Sequence, residues 1–179
     1  MDKLSYSDYY SWDDGKRWEL IDGIPYAMAP GPSQEHQSIS MGISNQLYNF
    51  LKGKTYKVFS APFDVRLNHD SEDDTVVQPD IIVVCDETKL DGKSCNGAPD
   101  MVVEILSPTS ERNDRVVKFH LYLRYGVNEY WIVDPVEKTV QTHILENGRY
   151  IINVYTETDE IQVHTLEGLT IKLAEVFVG

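Results

Sequence analysis

The sequence predicts an α/β (α+β) chain: a mixed β-sheet core flanked by helices, with additional antiparallel hairpins. Three observations predict it. The middle of the chain reads strand, strand, helix, strand, over Asp80–Val84, Met101–Leu106, a helical stretch closing near Tyr125, and Glu129–Val133. The first of these runs is almost continuously apolar, as a strand buried on both faces is. Asp22-Gly23 and Asn147-Gly148 each separate two strand-like segments, the strongest short-range hairpin signal.

The elements follow in order. Ser5 to Trp12 reads as a short helix. Arg17–Ile21 and Ile24–Met28 read as a hairpin around Asp22-Gly23, stopped by Pro30-Gly31-Pro32. Ser33 is a candidate N-cap for a helix whose apolar positions Ile39, Ile43, Leu47 and Phe50 recur at helical spacing, with Gly53 as its stop. Tyr56–Phe59 and Phe63–Leu67 read as strands and Asn68–Asp74 as a polar loop. Val76-Val77 leads into the run from Asp80. Asp91–Pro99 reads as a loop before the strand from Met101. Ser107-Pro108-Thr109-Ser110 offers capping hydroxyls to the next helix, which Gly126 closes. Thr139–Leu145 and Tyr150–Thr156 form the second hairpin, and Ile161–Leu166 a further strand. Leu169–Val178 has no clear period.

A chain of 179 residues fits one domain, 1–179, with a sizeable core. No apolar run reaches membrane-spanning length, and Met1-Asp2-Lys3-Leu4-Ser5-Tyr6 lacks a basic region followed by an apolar stretch. Cys85 and Cys95 make no metal-ligand spacing and no disulfide framework. A cytoplasmic location is the simplest expectation. The net charge of −13 argues against a broad nucleic-acid-binding surface, because phosphate contacts need Lys and Arg. It leaves room for binding confined to one cleft. Arg112, Arg115, Lys118 and Arg124 outnumber Glu111 and Asp114 in the central helix, so the balance there is expected to be less acidic.

Glu104 stands inside an apolar strand, on the face it shares with Val102 and Leu106. A carboxylate there needs a partner: a buried salt bridge, a proton or a cation. Asp80 follows Pro79, which confines Gln78 to extended geometry at the start of a neighbouring strand. Two carboxylates brought together from two strands suit Mg²⁺, with water and substrate phosphate filling its other positions. Lys118 lies four residues after Asp114 and four before Tyr122. That spacing fits an exposed helix pair, or an ammonium set beside a scissile phosphate.

The blocks Pro79-Asp80, Ala98 to Ser110, Asp114, Lys118, Tyr122 and Gly126 to Pro135 resemble the Uma-type putative restriction endonuclease family, within the PD-(D/E)XK nuclease superfamily. Trp18-Glu19-Leu20-Ile21-Asp22-Gly23 and His36 match its N-terminal pattern. The resemblance runs from about Tyr6 to the C-terminal hairpins. It implies a restriction-endonuclease-like fold, with Asp80 and Glu104 as metal-binding carboxylates and Glu19 as a further acidic position. Leu106 stands where the superfamily places its lysine. The family supplies that lysine from the following helix, here Lys118. His36 is a further possible site residue, with a packing or capping role equally open to it.

The expectation is a Mg²⁺-dependent endonuclease, with Mn²⁺ as a substitute, that hydrolyses DNA phosphodiesters as a homodimer. Asp80, Glu104, Lys118 and Glu19 would carry the chemistry. The rival is a nuclease fold kept as a DNA-binding or protein-interaction module with weak cleavage or none, which Leu106 and the acidic charge favour. Trp131 and Tyr130 are expected in the core, and Asp134-Pro135 as a turn.

Overall fold

The computed structural model describes residues 3–28 and 31–178. Pro30, the first residue of the expected stop, lies outside them, as do Met1 and Asp2 of the segment read for a leader.

Helix α1 (Tyr6–Tyr10) is shorter than expected; its Ser5 cap and Asp8 bind each other's backbone N–H groups. Strands β1 (Trp18–Ile21) and β2 (Ile24–Ala27) meet at Asp22-Gly23, with φ of 50° and 77°. A two-residue turn with both φ values positive matches the twist of the flanking strands, and Asp-Gly adopts it cheaply. Helix α2 (Gln34–Leu51) starts where Ser33 accepts a hydrogen bond from the His36 N–H, and it buries Ile39, Ile43, Leu47 and Leu51. Gly42 stands within this helix where the C-terminal segment passes close by. A Cβ at Gly42 would stand 3.1 Å from the Val176 Cα.

The remaining strands are β3 (Lys57–Ser60), β4 (Asp64–Arg66), β5 (Val76–Val77), β6 (Ile81–Val84), β7 (Ser94–Asn96), β8 (Met101–Ile105), β9 (Glu129–Asp134), β10 (Thr139–Glu146), β11 (Arg149–Thr156), β12 (Glu160–Gln162) and β13 (Thr170–Lys172). A π-helical stretch, Asn113–Lys118, runs into α3 (Phe119–Tyr125), which Gly126 closes in the left-handed conformation. The large sheet has the order β11-β10-β9-β8-β6-β3 and the small one β2-β1-β5-β4-β7. Among the described residues of the large sheet only β8 and β9 are parallel, and the helix between them makes the crossover such a pair requires. The mixed sheet, the flanking helices and the hairpins are those the sequence predicts.

Successive side chains of β8 serve two cores. Met101, Val103 and Ile105 pack with the buried stripe of α2 and with Leu173 and Val176 near the C-terminus. Val102 and Leu106 pack on the other face with Leu121 and Tyr122 of α3 and with Val65 and Val77 of the small sheet. Trp131 and Tyr130 are fully buried, as expected.

Three expectations change. The run Val76–Val84 is divided between the sheets: β5 pairs with β1 and β4, and β6 with β3 and β8, so the chain changes sheet across Gln78-Pro79-Asp80. Within the expected loop 91–99 lies β7, parallel to β4, held by the Asp91 carboxylate accepting from the Lys93 and Ser94 N–H groups. The strand expected over Ile161–Leu166 shortens to β12, and the ambiguous end supplies its partner β13.

Glu129 is fully buried at the start of β9. Its Oε1 accepts from Trp131 Nε1 at 2.8 Å and from the His164 N–H at 3.2 Å, and its Oε2 from the Thr165 N–H at 2.7 Å. Glu129→Gln would set an amide donor against one of these donors. Leaving a buried donor unpaired costs about 1–3 kcal/mol. Denaturant unfolding is expected to show a loss in this range, and an unchanged midpoint would contradict it.

Candidate active site

The change of sheet at Gln78-Pro79-Asp80 builds the site. Proline has no N–H to give, so it interrupts both ladders without orphaning a donor. On one side of it, the Gln78 N–H donates to Glu19 Oε1 on β1 at 3.0 Å. On the other, Asp80 Oδ2 accepts from the Ile105 N–H on β8 at 2.7 Å. Ile81 lies opposite Val103 in the antiparallel pair, which brings Asp80, one residue before β6, to the end of β8 that carries Glu104. The carboxylates expected to act together therefore come together at the seam between the sheets.

Glu104 faces the helix, on the side shared with Val102 and Leu106, and is 3% exposed. Its Oε1 accepts from Lys118 Nζ at 2.9 Å and from the Tyr122 hydroxyl at 2.7 Å. Lys118 is not an exposed helix lysine, and its pairing with Asp114 is not a surface pair. Lys118 is 4% exposed, and its ammonium reaches Glu19 Oε1 at 2.9 Å as well as Asp114 Oδ1 at 3.6 Å. The π-helical stretch between Asp114 and Lys118 belongs to the segment that turns both inward.

Electrostatics follow from this packing. Burial pushes the Glu104 carboxyl well above the ordinary carboxylate range; Lys118 opposes the shift, and Asp114, Asp80 and Glu19 add to it. Asp114 is also raised, by burial first, against the pull of Lys118. Burial alone would lower Lys118, but Glu104, Glu19 and Asp114 outweigh it and hold the ammonium charged. Burial and Glu104 raise the Tyr122 hydroxyl, which stays a donor.

His36, in the first turn of α2, places Nε2 3.3 Å from Asp80 Oδ2. Burial favours its neutral form, yet Asp80 prevails and its pKa is raised. All five residues singled out in the sequence, Asp80, Glu104, Lys118, Glu19 and His36, line one cleft of about 1360 Å³. The cleft is more acidic than the helix sequence suggests. Glu19, Asp80, Glu104 and Asp114 are joined by Glu35, Glu111, Asp134 and Glu137, against Arg17, Arg115 and Lys118. Arg124 is turned away to Asp22, and Arg115 is held by Glu111 and Asp134.

Among the described residues, no three or more His, Cys, Asp or Glu side chains form a ready-made metal cage. The site still suits a hard cation that keeps most of its waters. Among the described residues, no hydrogen bond engages Asp80 Oδ1 or Glu104 Oε2. One or two carboxylates with water and phosphate oxygens is the usual Mg²⁺ arrangement. The donor set and the surplus of negative charge both fit it.

Three contributions were not assigned from sequence. Tyr122 was visible as the next position of the Asp114–Lys118 stripe, but its bond to Glu104 was not. Asp114 Oδ1 is buried with no hydrogen-bond partner among the described residues. Gln78 ties the seam, donating from Nε2 to the Tyr9 hydroxyl and to Asp64 while its Oε1 accepts from Arg17. Leu106 is core, and Ser107 caps the turn through reciprocal bonds with Ser110. Asp134 Oδ1 accepts from the Val136 and Glu137 N–H groups, the expected turn.

Comparison with known proteins places these features in context. A family described as "Uma2: Putative restriction endonuclease" matches residues 6–174. A Synechocystis sp. (strain ATCC 27184 / PCC 6803 / Kazusa) protein described as "Uncharacterized protein slr1290" is 28% identical over 181 residues, 99% of this chain and 93% of that one. The fold is that of a crystal structure titled as a putative nuclease belonging to DUF820 from Anabaena variabilis ATCC 29413. The TM-score is 0.77 at 19% identity, over 97% of each chain.

Proposed function

This chain belongs to the Uma2 family, and from that premise we propose that it is a Mg²⁺-dependent endonuclease hydrolysing DNA phosphodiester bonds. The observation that carries the reading is the pair Asp80 and Glu104. Asp80 immediately precedes β6 and Glu104 lies on the adjacent β8; among the described residues each keeps one carboxylate oxygen free of hydrogen bonds, and both line an acidic cleft. Asp80 and Glu104 would hold a divalent ion, which would supply a coordinated water of lowered pKa and polarise a phosphate oxygen.

The chain's own residues prepare that pair. The Ile105 N–H and His36 fix one oxygen of Asp80. Lys118 and Tyr122 fix one oxygen of Glu104, and the ammonium favours its ionised form. Hydrolysis then forms one P–O bond from water, in line with the ester P–O bond that breaks, and the departing oxygen takes up a proton. Cleavage of supercoiled and linear DNA with Mg²⁺ or Mn²⁺ tests the reading; activity unaltered in Glu104→Ala would refute it. A double-strand cut needs two such sites, and a homodimer would supply them. Sedimentation of the pure protein measures that state.

The rival module that binds without cutting draws support from Leu106, buried where the superfamily places its lysine. Metal-supported DNA binding with no cleavage in any of these assays would favour it.

The acidity of the cleft gives a further prediction. Neutralising phosphates drives nucleic-acid association, and this cleft has few free cations to do so. Fluorescence anisotropy with a labelled duplex is expected to show binding in Ca²⁺ and at least about tenfold weaker binding in EDTA. Equal affinity in both would place the DNA on another surface.

A further inference from the structure

The Lys118 ammonium has three N–H bonds and three carboxylates around it. Glu19 Oε1 and Glu104 Oε1 stand at 2.9 Å and Asp114 Oδ1 at 3.6 Å. The three come from β1 in the small sheet, β8 in the large sheet and the helix itself. Every side chain in the group is at most 5% exposed. The Tyr122 hydroxyl closes the cluster from the helix side by donating to the same Glu104 oxygen. The cluster thus already holds a cation, the ammonium. Asp80 lies outside it with His36, its side chain 20% exposed, toward the cleft.

We propose that Lys118 is a positioning residue, whose ammonium occupies a buried nest of Glu19, Glu104 and Asp114 and so leaves Glu104 Oε2 to face the cleft. On this proposal Glu19 holds the lysine and is not a ligand of the divalent ion. The proposal rests on the endonuclease reading above and concerns the division of labour within that site. A lysine acting directly on the scissile phosphate would need donors facing the cleft. Here, the two short contacts and the third neighbour are all protein carboxylates.

Charge restoration tests it. Lys118→Met leaves the nest with one more uncompensated negative charge. Lys118→Met combined with Glu19→Gln returns the site to the parent's net charge. A glutamine at position 19 keeps an acceptor for the Gln78 N–H and brings an amide donor to the neighbouring carboxylates. Three readouts are compared: melting without divalent ions, Mn²⁺ affinity by titration at pH 8, and cleavage.

Lys118→Met is expected to melt lower than the parent and bind Mn²⁺ at least about threefold more tightly, because a divalent ion moves into the vacated nest. Its cleavage should fall at least about 100-fold, since that ion sits among Glu19, Glu104 and Asp114 rather than beside Asp80. The double variant is expected to recover melting and parent-like Mn²⁺ affinity, and to cleave within about threefold of Glu19→Gln alone.

The proposal is overturned if the double variant melts and binds Mn²⁺ as the parent does yet cleaves no faster than Lys118→Met; the ammonium then acts on the phosphate itself. Failure of the double variant to recover melting overturns it too. If Lys118→Met does not fold, the double variant against Glu19→Gln carries the same decision. A parent that neither binds Mn²⁺ nor cleaves defeats the endonuclease reading instead, while the melting comparison still judges the nest.

Discussion

Asp80→Asn is expected to remove Mn²⁺ binding and to lower cleavage at least about 100-fold, the scale on which loss of a single preorganised electrostatic group acts. The fold should survive. An asparagine oxygen can still accept the Ile105 N–H that Asp80 Oδ2 accepts at 2.7 Å, so the start of β6 stays tied to β8. What the substitution weakens is the ion pair with His36, at 3.3 Å and partly open to solvent. That weakening is expected to cost at most about 1 kcal/mol. The variant therefore separates chemistry from stability more cleanly than Glu104→Ala, which would leave Lys118 and Tyr122 short of an acceptor in the interior. Titration with Mn²⁺, melting and a cleavage assay on one preparation check it. Parent-like cleavage by Asp80→Asn would remove this carboxylate from the site, and with it the seam as the place where the ion binds.

The fold was legible wherever local physics decides it. Asp22-Gly23 and Asn147-Gly148 announced their hairpins because few other pairs accept two positive φ values. The stripe Ile39, Ile43, Leu47 fixed the buried face of α2. The alternation around Glu104 identified the face on which it lies, before any partner was known. What was missed depends on pairing distant in sequence. Strand β7 is three residues long and polar, and only its register with β4 makes it a strand. Val76–Val84 read as one run because hydrophobicity does not record which sheet a residue joins; Pro79 was the available sign that the ladder breaks there. The site followed the same division. Asp80 and Glu104 were visible as carboxylates beside apolar runs. The direction of the Lys118 ammonium was not, since an i, i+4 pair with Asp114 has the same spacing on an exposed helix as on a buried one. Only the packing of Glu19, from the other sheet, decides it.

Lys118→Met is also the substitution with the largest expected effect on stability. Removing one partner of a buried ion pair leaves the other charged and unsatisfied, at a cost of about 3–5 kcal/mol. Here three carboxylates lose their shared cation. For a chain of this size that is a fall in melting temperature on the order of 10 °C. The loss should depend on pH in a defined direction. Glu104 and Asp114 are raised by burial even with the ammonium in place, and Lys118 opposes the rise in both. Without it they rise further. A carboxyl whose folded pKa is raised contributes stability that is complete below its unfolded value, 4.5 for Glu104 and 3.8 for Asp114, and that is lost as pH climbs through the raised value. The variant's carboxyls therefore hold protons more strongly than the parent's, and ionising them inside the fold costs more as pH rises. Lys118 itself stays charged in the parent from pH 5 to pH 8, since its own pKa is raised above 10.5. The gap in melting temperature between parent and Lys118→Met should thus be widest at pH 8 and narrow toward pH 5. A gap of constant size across that interval would mean that the carboxylates find other partners, and that the ammonium is not what opposes the rise of their pKa values in the interior.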